Sequence, residues 1–189
     1  MRNFLLLSTL IFLVACAGFR EGGVSSIDQY PQLSKKVSLA LNIDHATILN
    51  GNRITNENIK IKLKEKFLER YKKSTLFSDV NAAANDSDYT LEILWENYGE
   101  MNPFLSVLTG LTLYIIPSSS KDTNIVKAKL TNNLTKKTTE VTFQDSVTMW
   151  QEILLLPCTI FKNPFVEANN MQVDLIDNLI MWTSQNVQN

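Results

Sequence analysis

Few residues in this chain can do covalent or acid–base chemistry. His45 is the single histidine, and Cys16 and Cys158 are the two cysteines. One imidazole cannot build a histidine-based metal site, and no cluster of Cys, His and carboxylates has ligand spacing. Asp44-His45 and Cys158 are the one set that would supply a thiol nucleophile and its base. Nothing in their spacing joins them. Pro157-Cys158-Thr159 also lies in an apolar block, where burial makes a thiol harder to ionise. His45 is expected at the end of a strand as a surface or hydrogen-bonded residue, and Cys158 as a small buried hydrophobe. Asp86 and Asp88 form a carboxylate pair in a polar stretch and are expected to be solvated. There is no Gly-rich phosphate loop, no GxSxG elbow and no basic-aromatic patch. Asn85-Asp86-Ser87 and Asn133-Leu134-Thr135 match the glycosylation sequon, a three-residue pattern that recurs by chance. The sequence thus names no catalytic residue, no cofactor-binding residue and no metal ligand, and it points to a non-enzymatic protein.

Cys16 is the exception, and its meaning comes from what precedes it. Arg2 is followed by an almost unbroken apolar run from Phe4 to Val14, closed by Ala15-Cys16. A charged start, a short apolar stretch and small residues at the end are the marks of an export leader. The run is too short for a transmembrane helix, which needs about 20 apolar residues. Leu13-Val14-Ala15-Cys16 resembles the lipobox of bacterial lipoproteins. The resemblance implies a diacylglycerol on the Cys16 thiol, cleavage before Cys16 and acylation of the new amino group. Each buried CH₂ of acyl chain contributes ~0.8 kcal/mol of membrane affinity, so a multiply acylated Cys16 is a durable anchor. In proteobacterial lipoproteins an Asp after the Cys favours the inner membrane. Ala17 stands there instead, which by the same resemblance implies the outer membrane of a diderm host, facing the periplasm. The plain alternative is an ordinary secretory leader.

Charge and cysteine count narrow the rest. The 18 Lys and Arg and 19 Asp and Glu are interspersed, with net charge −1. A nucleic-acid binder concentrates positive charge on one face, so no nucleic-acid partner is expected. With Cys16 acylated, Cys158 has no intramolecular disulfide partner.

Three parts are expected: a cleaved leader at 1–15, a lipidated Cys16 with a flexible tether over 16–34, and one α+β domain over 35–189. Val37, Leu39, Leu41 and Ile43 alternate with polar or small residues, which reads as a half-buried strand. Asn50-Gly51 is a turn signal. A helix follows from Thr55 or Asn56, with Ile59, Leu63, Phe67, Leu68 and Tyr71 on one stripe and Lys60 to Glu69 supplying a solvated charged face. Further strands are expected over Leu76–Val80, Tyr89–Glu96, Ile125–Leu130 and Thr139–Val147, the last two as a hairpin. Leu175, Ile176, Leu179, Ile180 and Thr183 fall at helical spacing within Phe165–Asn186. The fold class is therefore α+β: a two-layer sandwich with a mostly antiparallel sheet of four to five strands on two or three helices.

Two apolar blocks do not fit a simple soluble domain. Residues 103–117 run from Pro103 to Pro117 without a charge, and 150–161 contain Leu154-Leu155-Leu156 before Pro157. Asn102 and Pro103 suit a helix start, with Ser106, Thr109 and Gly110 as a small-residue face, and Leu111–Ile116 has stronger β character. Either block can be core, as a central strand and a core helix, or can lie in a membrane interface with Tyr114 and Trp150 at headgroup level. The core reading is the expectation, because the flanking strands need apolar cover.

Two further resemblances bear on function. Leu108–Leu113 with Ile116-Pro117, followed by the block led by Trp150, resembles a stretch of uncharacterised bacterial envelope lipoproteins. The order of elements is similar to that of the lipopolysaccharide-assembly lipoprotein that sits inside an outer-membrane barrel, which implies a non-catalytic envelope partner. Two function classes stay open. One is a lipid-anchored protein acting through protein or membrane contact, in outer-membrane assembly or maintenance. The other is a lipid-anchored carrier of a small ligand or lipid, or an enzyme with an unreadable site. A pocket lined by the apolar blocks would mark the carrier, and a continuous exposed apolar patch the contact protein.

Overall fold

The computed structural model describes residues 16–187 apart from 32, 34 and 83–85, and leaves aside the side chains at 156 and 160. The expected leader, with Leu13, Val14 and Ala15 of the lipobox-like motif, lies outside the described residues. In chain order the elements are β1 (Cys16–Arg20), β2 (Ser38–Leu49), β3 (Asn52–Ile54), α1 (Glu57–Lys73), β4 (Asp79–Ala82), β5 (Tyr89–Met101), α2 (Pro103–Leu111), β6 (Ser118–Asn132), β7 (Thr138–Gln151), a 3₁₀ helix (Ile153–Ile160) and α3 (Pro164–Asn186). They form an α+β fold.

The seven-stranded sheet has the order β1-β7-β6-β5-β2-β3, with β4 pairing β2 beside β3. It is mixed, which corrects the mostly antiparallel sheet of four to five strands expected from sequence. β4 and β5 both run parallel to β2, on opposite sides of it. The reason is α1: it carries the chain back along the sheet, so Asp79 starts opposite Ser38, where β2 itself began. β3 follows the Asn50-Gly51 turn as a three-residue return strand, too short to show alternation.

The larger correction lies at the start. Cys16–Arg20 falls within the expected tether, yet it pairs antiparallel with β7 from Cys16↔Gln151 to Arg20↔Val147. Ala17 and Gly18 look like linker residues because they are small; here smallness lets β1 sit against α3. Ala17 is fully buried. A Cβ on Gly18 would fall 2.6 Å from the Cα of Pro164.

Helices cover one face of the sheet. α1 starts at Asn56, whose side chain accepts from the Asn58 and Ile59 amides, and it presents Leu63, Phe67 and Tyr71 to the core, while Ile59 stays exposed. α3 starts at Asn163 with Pro164 in its first turn and buries Met171, Leu175, Ile176, Leu179 and Ile180 completely. Each such side chain contributes about 1.5–3 kcal/mol by leaving water. The sheet meets them with Leu39, Leu41, Leu91, Ile93, Trp95, Val126, Ala128, Leu130 and Val147. Phe67 packs edge-on against Trp95 at 5.6 Å, and Tyr71 hydrogen-bonds Thr183 at 3.2 Å.

Two Arg–Asp clamps fix α3. Arg20 of β1 donates to Asp145 of β7 at 2.7 Å and to Asp174 of α3. Arg70 of α1 pairs with Asp177, which also accepts from the Tyr30 hydroxyl at 2.7 Å. These pairs close β1, Tyr30 and α1 onto one helix.

Candidate lipid-anchoring site and the apolar end

Cys16 is the first residue of an edge strand, half-buried, and burial pushes its thiol above the ordinary range. Opposite it stands Gln151, the last residue of β7, which pairs in turn with Ser118, the first residue of β6. Met101 at the end of β5 pairs with Ser120. Three segments therefore leave the sheet at the end where Cys16 lies: α2 with its following turn, the 3₁₀ helix and the start of α3.

These segments carry the apolar blocks, and the blocks are exposed. Phe104, Leu111, Leu154, Phe161 and Phe165 are 77–82% exposed, joined by Val107, Leu113, Ile115 and Val166. This corrects the expectation that the blocks are core: residues 103–117 form no central strand, and the second block is the end of β7 and a 3₁₀ helix holding Pro157. Asn102 caps α2 by accepting from the Leu105 amide at 3.0 Å, and only Thr109 on the small-residue face is buried. The neighbouring strands take their cover from α1 and α3, so these side chains are not needed for the core.

The segments are tied together. Gly18 donates its amide to the carbonyl of Lys162 at 2.8 Å, and Ile153 donates to the carbonyl of Tyr114 at 3.0 Å. Past α2, Tyr114 donates to Thr109 and Leu113 to Gly110, the bond pair of a Schellman stop. Leu113 and Tyr114 both adopt left-handed backbone, with φ 51° and 65°. That turn ends the helix and replaces the β extension expected for Leu111–Ile116.

The other residues singled out from sequence are not assembled into a site. His45 lies on β2, in ring contact with Thr47 at 3.5 Å, and burial holds its pKa below the usual value. Asp44 pairs with Lys60. Cys158 is half-buried in the 3₁₀ helix rather than fully buried. Asp88 accepts from the backbone amide and hydroxyl of Ser38, tying β2 to β5. Among the described residues no group of three His, Cys, Asp or Glu is placed to hold a metal ion.

One polar feature escaped the sequence reading. A cleft of about 370 Å³ opens above β2, β5 and β6, with His45, Trp95, Asn97, Asp122, Asn124 and Gln172 in its lining. Trp95 donates Nε1 to the Asn124 side-chain oxygen at 2.7 Å, so the Asn124 amide nitrogen points elsewhere and, though buried, has no hydrogen-bond partner among the described residues. Asn97 donates to Asp122 and also to Asn124 at 3.2 Å. The signal was present: Asn97 and Asn124 continue the inward phase of Trp95 and Val126, and inward polar residues mark something other than packing.

No family model matches the chain, and no curated protein does. Three solved structures resemble the chain at low similarity. A Xanthomonas campestris protein of the DUF330 family superposes with a TM-score of 0.45 at 14% identity, covering 88% of this chain and 95% of that one. A minor lipoprotein of Acinetobacter baumannii gives 0.41 at 15% identity, covering 84% and 93%. PelC of Paraburkholderia phytofirmans, crystallised as a dodecamer, gives 0.34 at 10% identity, covering 70% and 79%. Likeness at this level carries no inference of function, which has to come from the chain's own residues.

Proposed function

We propose that this chain is a non-enzymatic lipoprotein of the bacterial envelope, anchored by acyl chains on Cys16 to the periplasmic face of the outer membrane. It acts there through contact with an envelope protein or the membrane, in outer-membrane assembly or maintenance. One observation carries the reading: Cys16 opens the edge strand at the end of the sheet where the exposed apolar residues gather. An acyl group there lies beside apolar surface, and a half-buried cysteine at a strand's start serves no disulfide. The exposed apolar end favours a contact protein over a carrier whose pocket the blocks would line.

Cys16→Ala tests it. Cells fed a palmitate analogue should label the wild type and not the variant, whose precursor accumulates uncut; equal labelling refutes the anchor. Density-gradient fractionation tests the outer-membrane assignment separately.

The cleft at Asn124 favours a second reading, a lipid-anchored carrier of a small polar ligand. Native mass spectrometry of protein taken from the envelope would then show a bound species that Asn124→Leu loses.

A further inference from the structure

We propose that the apolar end is itself a membrane-embedding surface, so that the protein is held at two points: acyl chains on Cys16, and the side chains of α2, the turn after it and the 3₁₀ helix seated in the headgroup–acyl boundary of the same leaflet. This rests on the anchoring of Cys16 proposed above and names what covers the apolar end. Five observations lead to lipid as the occupant.

The first is position. Cys16 is joined by strand register to Gln151 and through it to Ser118, so an acyl chain leaves the domain level with the ends of β7 and β6, from which the chain runs on to Ile153 and back to Pro117. The second is the absence of slack. β1 is paired, its Gly18 is packed on Pro164, and Arg20 is clamped to Asp145 and Asp174. A lipid on Cys16 therefore holds this end of the sheet at the bilayer, where a floppy tether would leave it free to turn away.

The third is composition. From Asn102 to Ser120 there is no charged side chain, and Phe104, Val107, Leu111, Leu113 and Ile115 all point outward. Trp150 stands 41% exposed near the end of β7 with Glu152 two residues on, an aromatic and a charged residue at the border of the apolar end. The fourth is depth. Among the described residues no helix is long and apolar enough to cross a membrane, so the segment lies in the boundary and does not span it.

The fifth is Leu113. It occupies the left-handed position of the Schellman stop, which glycine fills most comfortably, and its side chain is 59% exposed. Folding alone has no use for a leucine there. A lipid-facing surface does.

Lipid depth can be read in the mature, acylated protein reconstituted into phosphatidylethanolamine–phosphatidylglycerol vesicles whose acyl chains carry bromine near the headgroup. Val107→Trp places a reporter on α2, Leu134→Trp places one at the far hairpin, and the emission of the unsubstituted protein is subtracted from each. We expect the Val107→Trp emission to be quenched and that of Leu134→Trp to be retained. Equal quenching at the two positions overturns the proposal, and so does a blue-shifted Val107→Trp in the absence of lipid, which would mean the end is covered by a second copy. Mass measurement of the same sample separates the two readings. Quenching of Val107→Trp without acylation keeps the embedded end and removes the anchor; acylation without quenching does the reverse.

Discussion

Gly18 and Pro164 are in such close approach that no other residue fits at position 18: an added Cβ would meet the Pro164 Cα at 2.6 Å and its Cβ at 3.1 Å. Backbone, not a flexible side chain, is the obstacle. Gly18→Ala should therefore push β1 off the start of α3 and cost about 1–3 kcal/mol, as overpacking does. Thermal melting gives the loss, and hydrogen exchange should place it in the amides of β1 and the paired part of β7.

Arg20 should matter more. Its partner Asp145 is almost fully buried and already accepts from the Gly23 amide at 3.0 Å. Arg20→Met leaves that carboxylate in the core without a cation, at a cost of about 3–5 kcal/mol. Adding Asp145→Asn to it should recover part of the loss in denaturant unfolding. Full additivity of the two changes would show that the pair is not coupled.

Asp122 gives a pH dependence of known sign. Burial lifts its carboxyl above the ordinary value, against the opposing hydrogen bond from Asn97. A carboxyl raised in the folded state contributes stability below its unfolded pKa and loses it as pH rises through the folded value. Asp122 thus weakens the fold in neutral solution. Asp122→Asn, still able to accept from Asn97, should raise the melting temperature at about pH 7 and leave it unchanged at about pH 3. An unchanged melt at neutral pH would contradict this account.

Leu111 and Leu91 differ in kind: Leu111 lies in an apolar run and is exposed, whereas Leu91 alternates with polar residues and is buried. Leu111→Ser on the exposed end should shift stability by no more than about 0.5 kcal/mol, whereas Leu91→Ala at a fully buried position should cost about 2–5 kcal/mol. A large loss at Leu111 would return the block to the core.

Ala17 adds a result that bears on sorting experiments. Position 17 is fully buried, on the face of β1 opposite to Gly18 and paired with Trp150 of β7. Ala17→Asp is the natural change for redirecting such a protein to the inner membrane, yet it would bury an unpaired carboxylate and should lower the melting temperature by several degrees or more. Any redistribution it causes has to be compared with Ala17→Val, which tests packing alone.

Where the pattern was strong, the sequence was readable. Leu63, Phe67 and Tyr71 at four-residue steps and Leu175 to Thr183 in α3 face the core as their spacing requires. Tyr89 to Trp95 and Val126 to Leu130 alternate as strands, but the strands run on to Met101 and back to Ser118 through polar residues, because backbone pairing with a neighbour needs no apolar side chain. β1 was illegible for a related reason: Ala17 and Gly18 are small because they are packed, and small residues also make linkers. The apolar end was misread because hydrophobicity alone does not say whether its cover is protein or lipid. The expectation for Cys16 rests on the residues before it, while the company it keeps at the end of the sheet required the fold.

The β6–β7 ladder runs from Ser118↔Gln151 at the apolar end to Thr131↔Thr138 at the other. With the first pair at the lipid surface, as proposed, thirteen residue steps at about 3.3 Å put the far hairpin at most about 43 Å above the bilayer. Its tip carries Leu134, 91% exposed. The ladder then acts as a stiff gauge: whatever meets Leu134 is met at a fixed height and from a fixed side, and an inserted or deleted pair of residues in both strands would change that height by about 7 Å.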